Sequence, residues 1–217
     1  MQRIACFIIV ISVVGCASVS HIKNQSLGSA DLRNQSIGLT ARKSPDFTAM
    51  TTGKTMIPLG YLLAKEAGRG LVSEQGVQDP KLIITSALSR ALEERYNVKV
   101  IRPEIETSSD DPGSVSDQFS NNIAYVLDVR TTNWYFAPIN VWSSGYVVRY
   151  TTIVSIIEKR TRSVVAQAAC DKYSDLSNKA PTYDALVAND AALLKTILAA
   201  SASACAEQIK KSVLPAA

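Results

Sequence analysis

The sequence contains a single histidine, His21, and this scarcity excludes the reactions that depend on a positioned imidazole. Catalytic triads and most zinc sites need at least one histidine that the fold holds in place. His21 lies among Ser, Asn and Gln residues near the N-terminus, where nothing predicts a rigid environment. We therefore predict a protein that is not an enzyme, with no metal site and no cofactor.

The net charge of the chain is also small, and this limits which partners we expect it to bind. The 23 basic and 19 acidic residues leave a net charge of +4, and no long run of Lys or Arg forms a basic patch. This balance predicts no nucleic-acid partner. The sequence Thr52-Gly53-Lys54-Thr55 looks like the end of a phosphate-binding loop, but Thr48 stands where that motif needs its first glycine. We therefore predict no nucleotide site.

An apolar run over residues 4–14 follows Arg3 and precedes Gly15 and Cys16. As a helix it would measure about 17 Å, which is short of the ~30 Å hydrocarbon core of a bilayer. A basic start, a short apolar segment and a small residue before the cleavage point are typical of a secretory signal.

The end of this run, Val13-Val14-Gly15-Cys16, resembles the lipobox of bacterial lipoproteins. The resemblance implies that residues 1–15 are a removable signal peptide and that Cys16 carries the diacylglycerol and an acyl chain such as palmitate. Ala17 after the cysteine, instead of Asp, implies an outer-membrane lipoprotein that faces the periplasm. The alternative is an ordinary signal peptide that is cleaved after Ala17 or Ser18.

The mature chain would keep two further cysteines, Cys170 and Cys205. Two leftover cysteines in an oxidising periplasm usually pair, so we predict a disulfide between them. The alternative is two separate buried thiols.

Hydrophobic periodicity predicts one α+β domain over residues 36–217, preceded by the lipidated Cys16 and a flexible tether over residues 16–35. We expect a two-layer sandwich with a mainly antiparallel sheet and helices on one face. An acidic, Ser-rich segment over residues 104–121 is predicted to be a mobile insertion. The predicted strands cover residues 37–41, 98–101, 123–130, 146–158 and 163–171, and the predicted helices cover residues 58–67, 80–96 and 182–213.

An aromatic cluster between two predicted strands is the leading candidate for partner contact. It consists of Trp134, Tyr135, Phe136 and Trp142. Exposed aromatic residues are enriched at interfaces because they bury a large area at a small entropic cost. The alternative is that the cluster caps the hydrophobic core. A second candidate is the Gly-interrupted apolar stretch over residues 56–72, which is either a buried helix or a surface that meets a membrane or a partner.

These features together predict a membrane-anchored lipoprotein whose domain binds or scaffolds an envelope protein, as an accessory of transport or assembly. One alternative is a periplasmic enzyme that acts on cell-wall glycan or lipid through two carboxylates. Another is a carrier of a small apolar ligand. The carboxylates available to such an enzyme are Glu104, Glu106, Asp110, Asp128 and Asp171.

Overall fold

The computed structural model describes residues 24–28, 30–174 and 180–214. Its core is a mixed sheet with the strand order β3-β1-β4-β5-β6, and β2 extends it by pairing with β4. The strands are β1 (Ser36–Arg42), β2 (Thr48–Ala49), β3 (Lys99–Thr107), β4 (Tyr125–Pro138), β5 (Tyr146–Glu158) and β6 (Ser163–Tyr173). The helices are α1 (Thr52–Thr55), α2 (Gly60–Gln75), α3 (Lys81–Tyr96), α4 (Pro112–Asp117) and α5 (Tyr183–Val213). The predicted α+β class is confirmed.

Two kinds of strand pairing meet at β4. Strands β4, β5 and β6 form the predicted antiparallel meander, whereas β1 and β2 run parallel to β4, and β3 runs parallel to β1. Helices α2 and α3 lie in the connection that leads to the parallel strand β3, and together with α5 they cover one face of the sheet. The main core lies between that face and the helices α2, α3 and α5.

Helix α5 carries the predicted apolar stripe, and every member of the stripe is buried. It contains Leu194, Leu198, Ser201, Cys205, Ile209 and Val213. Cys205 is bonded to Cys170 of β6, which confirms the predicted disulfide. Among the described residues, α5 is also the one helix long and apolar enough by composition to cross a membrane. Its buried stripe and its bond to the sheet identify it as a core helix.

The segment predicted as a mobile insertion is ordered, and this prediction was wrong. Strand β3 continues past Pro103 to Thr107, because an edge strand tolerates a residue without an N–H. Helix α4 begins after Asp111, whose carboxylate accepts a hydrogen bond from the Ser114 N–H at 2.7 Å. The helix closes a small second core on the other face of the sheet, formed by Val115, Phe119, Ile123, Val126 and Ile157.

The described part of the predicted tether packs against the domain. Gln25 forms an antiparallel bridge with Gln167 of β6, and both Leu27 and Leu32 are buried in the main core. The two leucines are apolar enough to join the core despite their polar neighbours. Only the segment before Asn24 therefore stays a predicted tether.

Asp79 connects the start of α3 to the sheet. One carboxylate oxygen accepts hydrogen bonds from the Lys81 N–H at 3.0 Å and from the Thr131 hydroxyl at 2.8 Å. The Tyr150 hydroxyl lies 3.4 Å from the same oxygen. Burial raises the pKa of Tyr150, and the nearby charge of Asp79 raises it further. The phenol therefore stays protonated and can act as a donor.

Helix α2 approaches the β1–β2 connection so closely that Gly68 leaves no room for a side chain. A methyl group there would lie 1.7 Å from the carbonyl oxygen of Phe47. We expect Gly68→Ala to lower the free energy of unfolding by about 3 kcal/mol, measured by urea denaturation, because the backbone must move. Gly70→Ala is the control, since its methyl would meet only the flexible Glu74 carboxylate at 4.0 Å. We expect this change to stabilise the helix by about 0.5–1 kcal/mol. Equal destabilisation by both substitutions would contradict the close packing.

Candidate contact surface

The aromatic cluster does not form one exposed surface. Trp134 and Phe136 lie within β4 and are buried, with the Phe47 ring packed edge-on against both at centroid distances of 4.9 and 5.8 Å. The Trp134 indole N–H donates to the Pro45 carbonyl at 2.7 Å. The prediction of partner contact through these two residues is therefore corrected: they cap the core.

The other two members of the cluster lie elsewhere. Trp142, in the β4–β5 loop, is 90% exposed. Tyr135 lies on the sheet face opposite the main core, opposite Arg149 on the neighbouring strand. The Arg149 guanidinium lies between the rings of Tyr135 and Tyr173, at 5.9 and 4.8 Å from their centroids.

The Asp171 carboxylate accepts two hydrogen bonds from this guanidinium, at 2.9 and 2.6 Å, and compensates its positive charge. The hydrogen bond to Asp171 raises the pKa of Arg149, although burial opposes it. Burial raises the pKa of Asp171, but hydrogen bonds from Arg149 and Thr151 outweigh it and hold that pKa below its ordinary value. Arg149, Asp171 and the two tyrosine rings thus form a group across neighbouring strands in which the positive and the negative charge compensate each other.

Four of the five carboxylates that could serve glycosidic chemistry lie against arginines. Asp128 is buried against Arg42, Asp110 contacts Arg130, and Glu104 lies 3.8 Å from Arg102. Asp171 is held by Arg149. Glycoside hydrolysis needs two carboxyl groups that face one substrate bond, and these pairings give that alternative no support. Within the described residues, no cluster of three His, Cys, Asp or Glu side chains that could hold a metal ion is found.

A group of large apolar side chains is exposed to solvent in the α1–α2 connection and at the start of α2. We call this surface the apolar patch, and its exposed members are Met56, Ile57, Leu59, Tyr61, Leu62 and Leu63. Leu59 is 73% exposed, which is unusual for so large an apolar side chain. Contiguous exposed apolar side chains mark sites of contact with proteins, membranes or ligands. For the segment 56–72, the interpretation as a buried helix is therefore wrong at its N-terminal half.

The inward face of α2 explains why these side chains point outward. Its buried residues are Gly60, Ala64, Gly68 and Leu71, which recur at helical spacing and are mostly small. Small residues let the helix axis come close to the backbone beneath, and Gly60 itself lies against the Lys54 carbonyl. The large apolar side chains then occupy the solvent face because the inner face has no room for them.

A groove of about 960 Å³ runs beside α2 and is open to solvent. Phe47, Leu63 and Trp134 contribute its apolar wall, and Lys54, Glu66 and Arg69 lie along its rim. Partial burial lowers the pKa of Lys54, whose ammonium donates to the Ala49 carbonyl at 3.2 Å. The groove is open to solvent, whereas a site that carries a small ligand buries most of the surface of that ligand.

The apolar patch and Trp142 share one end of the sheet. At this end, which we call the Pro138 end, β4 ends at Pro138, β5 begins at Tyr146 and β6 ends at Tyr173. Ala49 pairs with Phe136, and the Met50 N–H donates to the Phe136 carbonyl, so the chain leaves β2 for α1 at this same end. Trp142 lies in the loop that follows Pro138.

Comparison with protein-family models and with curated proteins finds no match. Solved structures give distant likenesses. A PelC variant dodecamer from Paraburkholderia phytofirmans is 10% identical, with a TM-score of 0.41 over 88% of this chain and 95% of that one. The lipoprotein GNA1162 from Neisseria meningitidis is 12% identical, with a TM-score of 0.36 over 82% and 99%. Protein XCC0632 from Xanthomonas campestris is 11% identical, with a TM-score of 0.38 over 85% and 90%. These scores are too low to carry an argument about function.

The predicted lipidation site, Cys16, and the signal peptide lie outside the described residues. Of the remaining predicted site residues, Cys170 and Cys205 are brought together in the core, and Trp142 alone of the aromatic cluster is fully exposed. The apolar patch was the weaker of the two predicted candidates. The small-residue repeat at Gly60, Ala64 and Gly68 was the signal in the sequence that could have identified its outward orientation.

Proposed function

We propose that this protein is a lipid-anchored, non-enzymatic binding domain of the bacterial envelope, attached to the outer membrane through Cys16. We further propose that the apolar patch is its contact surface. The observation that carries this proposal is the exposure of six neighbouring large apolar side chains on a domain with an otherwise well-filled core. Water-exposed apolar area of this kind is unfavourable unless a contact covers it.

The lipobox-like sequence at Cys16 and the disulfide between Cys170 and Cys205 support the location. A stable disulfide is typical of an oxidising compartment such as the periplasm. The arginine-paired carboxylates favour a binding role over glycosidic catalysis, since four of the five candidate acids lie against arginines.

The contact surface can be tested by cysteine labelling in intact envelopes. Leu62 and Leu82 make a matched pair because each is 57% exposed, the first on α2 in the apolar patch and the second on α3. We expect Leu62→Cys to react with a maleimide at least tenfold more slowly than Leu82→Cys, because the contact covers it. In the detergent-solubilised protein both positions should react at similar rates.

Equal labelling of both positions in intact envelopes would overturn the proposed contact surface. The anchor is tested with the same preparations, by the intact mass of the membrane-bound protein beside that of Cys16→Ser. A lipid-sized mass increment on a chain that begins at Cys16, absent from the variant, would support the proposed attachment. An unmodified soluble chain would overturn it.

A further inference from the structure

The exposed leucines at the start of α2 recur at the spacing by which helices pack against one another. Leu59, Leu62 and Leu63 follow an i, i+3, i+4 pattern and are 49–73% exposed. The inner side of the same helix is already packed through Gly60, Ala64, Gly68 and Leu71. Helix α2 thus carries a second apolar stripe, which the described part of the chain leaves open to solvent.

The area of the apolar patch is close to what one partner contributes to a stable protein interface. Its six members are 47–73% exposed. Because a residue of this size offers about 200 Å² in an open chain, the patch presents about 700 Å² of surface. Specific interfaces of standard size bury about 800 Å² on each partner. A two-fold dimer uses the same surface on both copies, so one patch of this area is nearly sufficient for it.

The charges beside the patch are compatible with a contact of the patch with itself. Lys65 and Arg69 lie 3.8 and 3.4 Å from the Asp46 carboxylate, and Arg69 also contacts Glu66. Two identical surfaces double any net charge that they carry, and like charges that meet across an interface cost free energy. Because the positive and negative side chains balance here, two copies can meet without this repulsion.

Glu66 provides a contact that a second copy of α2 satisfies. The N-cap of α2 makes no side-chain hydrogen bond, and the first turn of the helix contains no acidic residue. When two α2 helices pack antiparallel about an axis between Leu62 and Leu63, Glu66 of each copy falls opposite Leu59 of the other, at the helix N-terminus. A carboxylate is favourable there because the N–H groups of the first turn give that end a partial positive charge. The Glu66 side chain is 71% exposed and therefore accessible for this contact.

We infer that the apolar patch is covered by the same patch of a second copy of this chain, with the two α2 helices antiparallel about a two-fold axis. This inference rests on the proposed contact surface and names its occupant. Attachment of both copies to one membrane raises their local concentration, which favours a contact of moderate area. Dilution in detergent separates the copies, in agreement with the equal labelling of Leu62→Cys and Leu82→Cys expected for the solubilised protein.

The test is cross-linking of the purified, lipidated full chain, reconstituted at low density into phosphatidylcholine vesicles that contain no other protein. Leu62 lies beside the two-fold axis, so a short bismaleimide should link Leu62→Cys to its counterpart in the second copy. We expect this reaction to be at least tenfold faster than that of Leu82→Cys, which is equally exposed but lies on α3. Reconstitution of copies that carry two different tags identifies the product as a dimer of this chain.

Two pairs of variants make the test specific, each made in the Leu62→Cys chain. Leu59→Asp should slow the cross-linking at least fivefold, because it buries a charge in the interface, whereas Leu82→Asp should have no effect. Glu66→Gln should slow it about threefold, because it removes a carboxylate from the helix N-terminus of the second copy. Glu74→Gln on the same helix is the matched control and should leave the rate unchanged. Circular dichroism and the urea midpoint confirm that each variant is folded.

The possible outcomes separate this inference from the proposed function. Protection of Leu62→Cys in envelopes, without cross-linking in the purified vesicles, would mean that another envelope component covers the patch. That result would overturn the dimer and leave the proposed binding function intact. Labelling of Leu62→Cys as fast as Leu82→Cys in envelopes would overturn both proposals. Equal cross-linking of the two positions in the vesicles would indicate random collisions and would overturn the dimer, and an unchanged rate in Glu66→Gln would contradict the antiparallel arrangement.

Discussion

Asp128→Ala is expected to lower the free energy of unfolding by about 3–5 kcal/mol, because it leaves a buried guanidinium without its counter-charge. Arg42 and Asp128 form a bidentate pair with two hydrogen bonds of 2.8 Å, and the Thr40 hydroxyl donates to the same carboxylate at 2.6 Å. The two side chains are only 5% and 9% exposed. Equilibrium unfolding in urea, followed by circular dichroism, measures the change.

The neighbouring carboxylate supplies the control for this prediction. Asp110 also approaches Arg42, at 3.4 Å, but its side chain is 73% exposed. Solvent screens such a pair, so Asp110→Ala should change the stability by less than about 1 kcal/mol. The double variant Arg42→Leu and Asp128→Leu should be more stable than Asp128→Ala, since it removes both charges. If Asp128→Ala and Asp110→Ala have similar effects, the pair is not the buried unit described here.

Reduction of the Cys170–Cys205 disulfide is expected to lower the free energy of unfolding by about 3–4 kcal/mol. The bond joins positions 35 residues apart, and closing a loop of that length restricts the unfolded chain. It also ties the middle of α5 to β6 in the main core. Urea denaturation of the same protein, with and without a thiol reductant, isolates the effect of the bond because no side chain is removed.

The Cys170→Ala and Cys205→Ala double variant is the matched control for the reductant. We expect its unfolding midpoint to be the same with and without reductant. The variant should be at least as unstable as the reduced protein, because both positions are buried and each substitution leaves a small cavity. Identical midpoints for the oxidised and reduced native protein would contradict the prediction.

The sequence predicted the regular elements well where one periodicity continued without interruption. Strand β5 begins and ends where its run of Val, Ile, Thr and Tyr does, at Tyr146 and Glu158. The stripe of α5 has the expected spacing from Leu194 to Val213. Such patterns are reliable because burial on one face imposes the same period on the side chains as on the backbone.

Strand β4 was predicted too short because its pattern changes phase. Tyr125, Leu127 and Val129 point into the main core, and the alternation predicts odd-numbered core residues throughout. The pairing with β5 shifts between Thr131 and Asn133, so the extra residue moves the inward positions to Trp134 and Phe136. A sequence gives no local sign of such a bulge, and the aromatic residues beyond it were therefore assigned to a loop.

By itself, the amino-acid sequence predicted the α+β class and favoured the disulfide between Cys170 and Cys205, and it carries the lipobox resemblance at Cys16. The tertiary structure decided which apolar residues are exposed. Leu59 and Leu62 are as hydrophobic as the leucines of the core, and composition cannot separate the two groups. Their exposure follows from the close approach of α2 to the chain beneath Gly68, which fills the inner side of the helix with backbone. The burial of Leu27 was decided in the same way, because it depends on how residues 24–28 pair with β6.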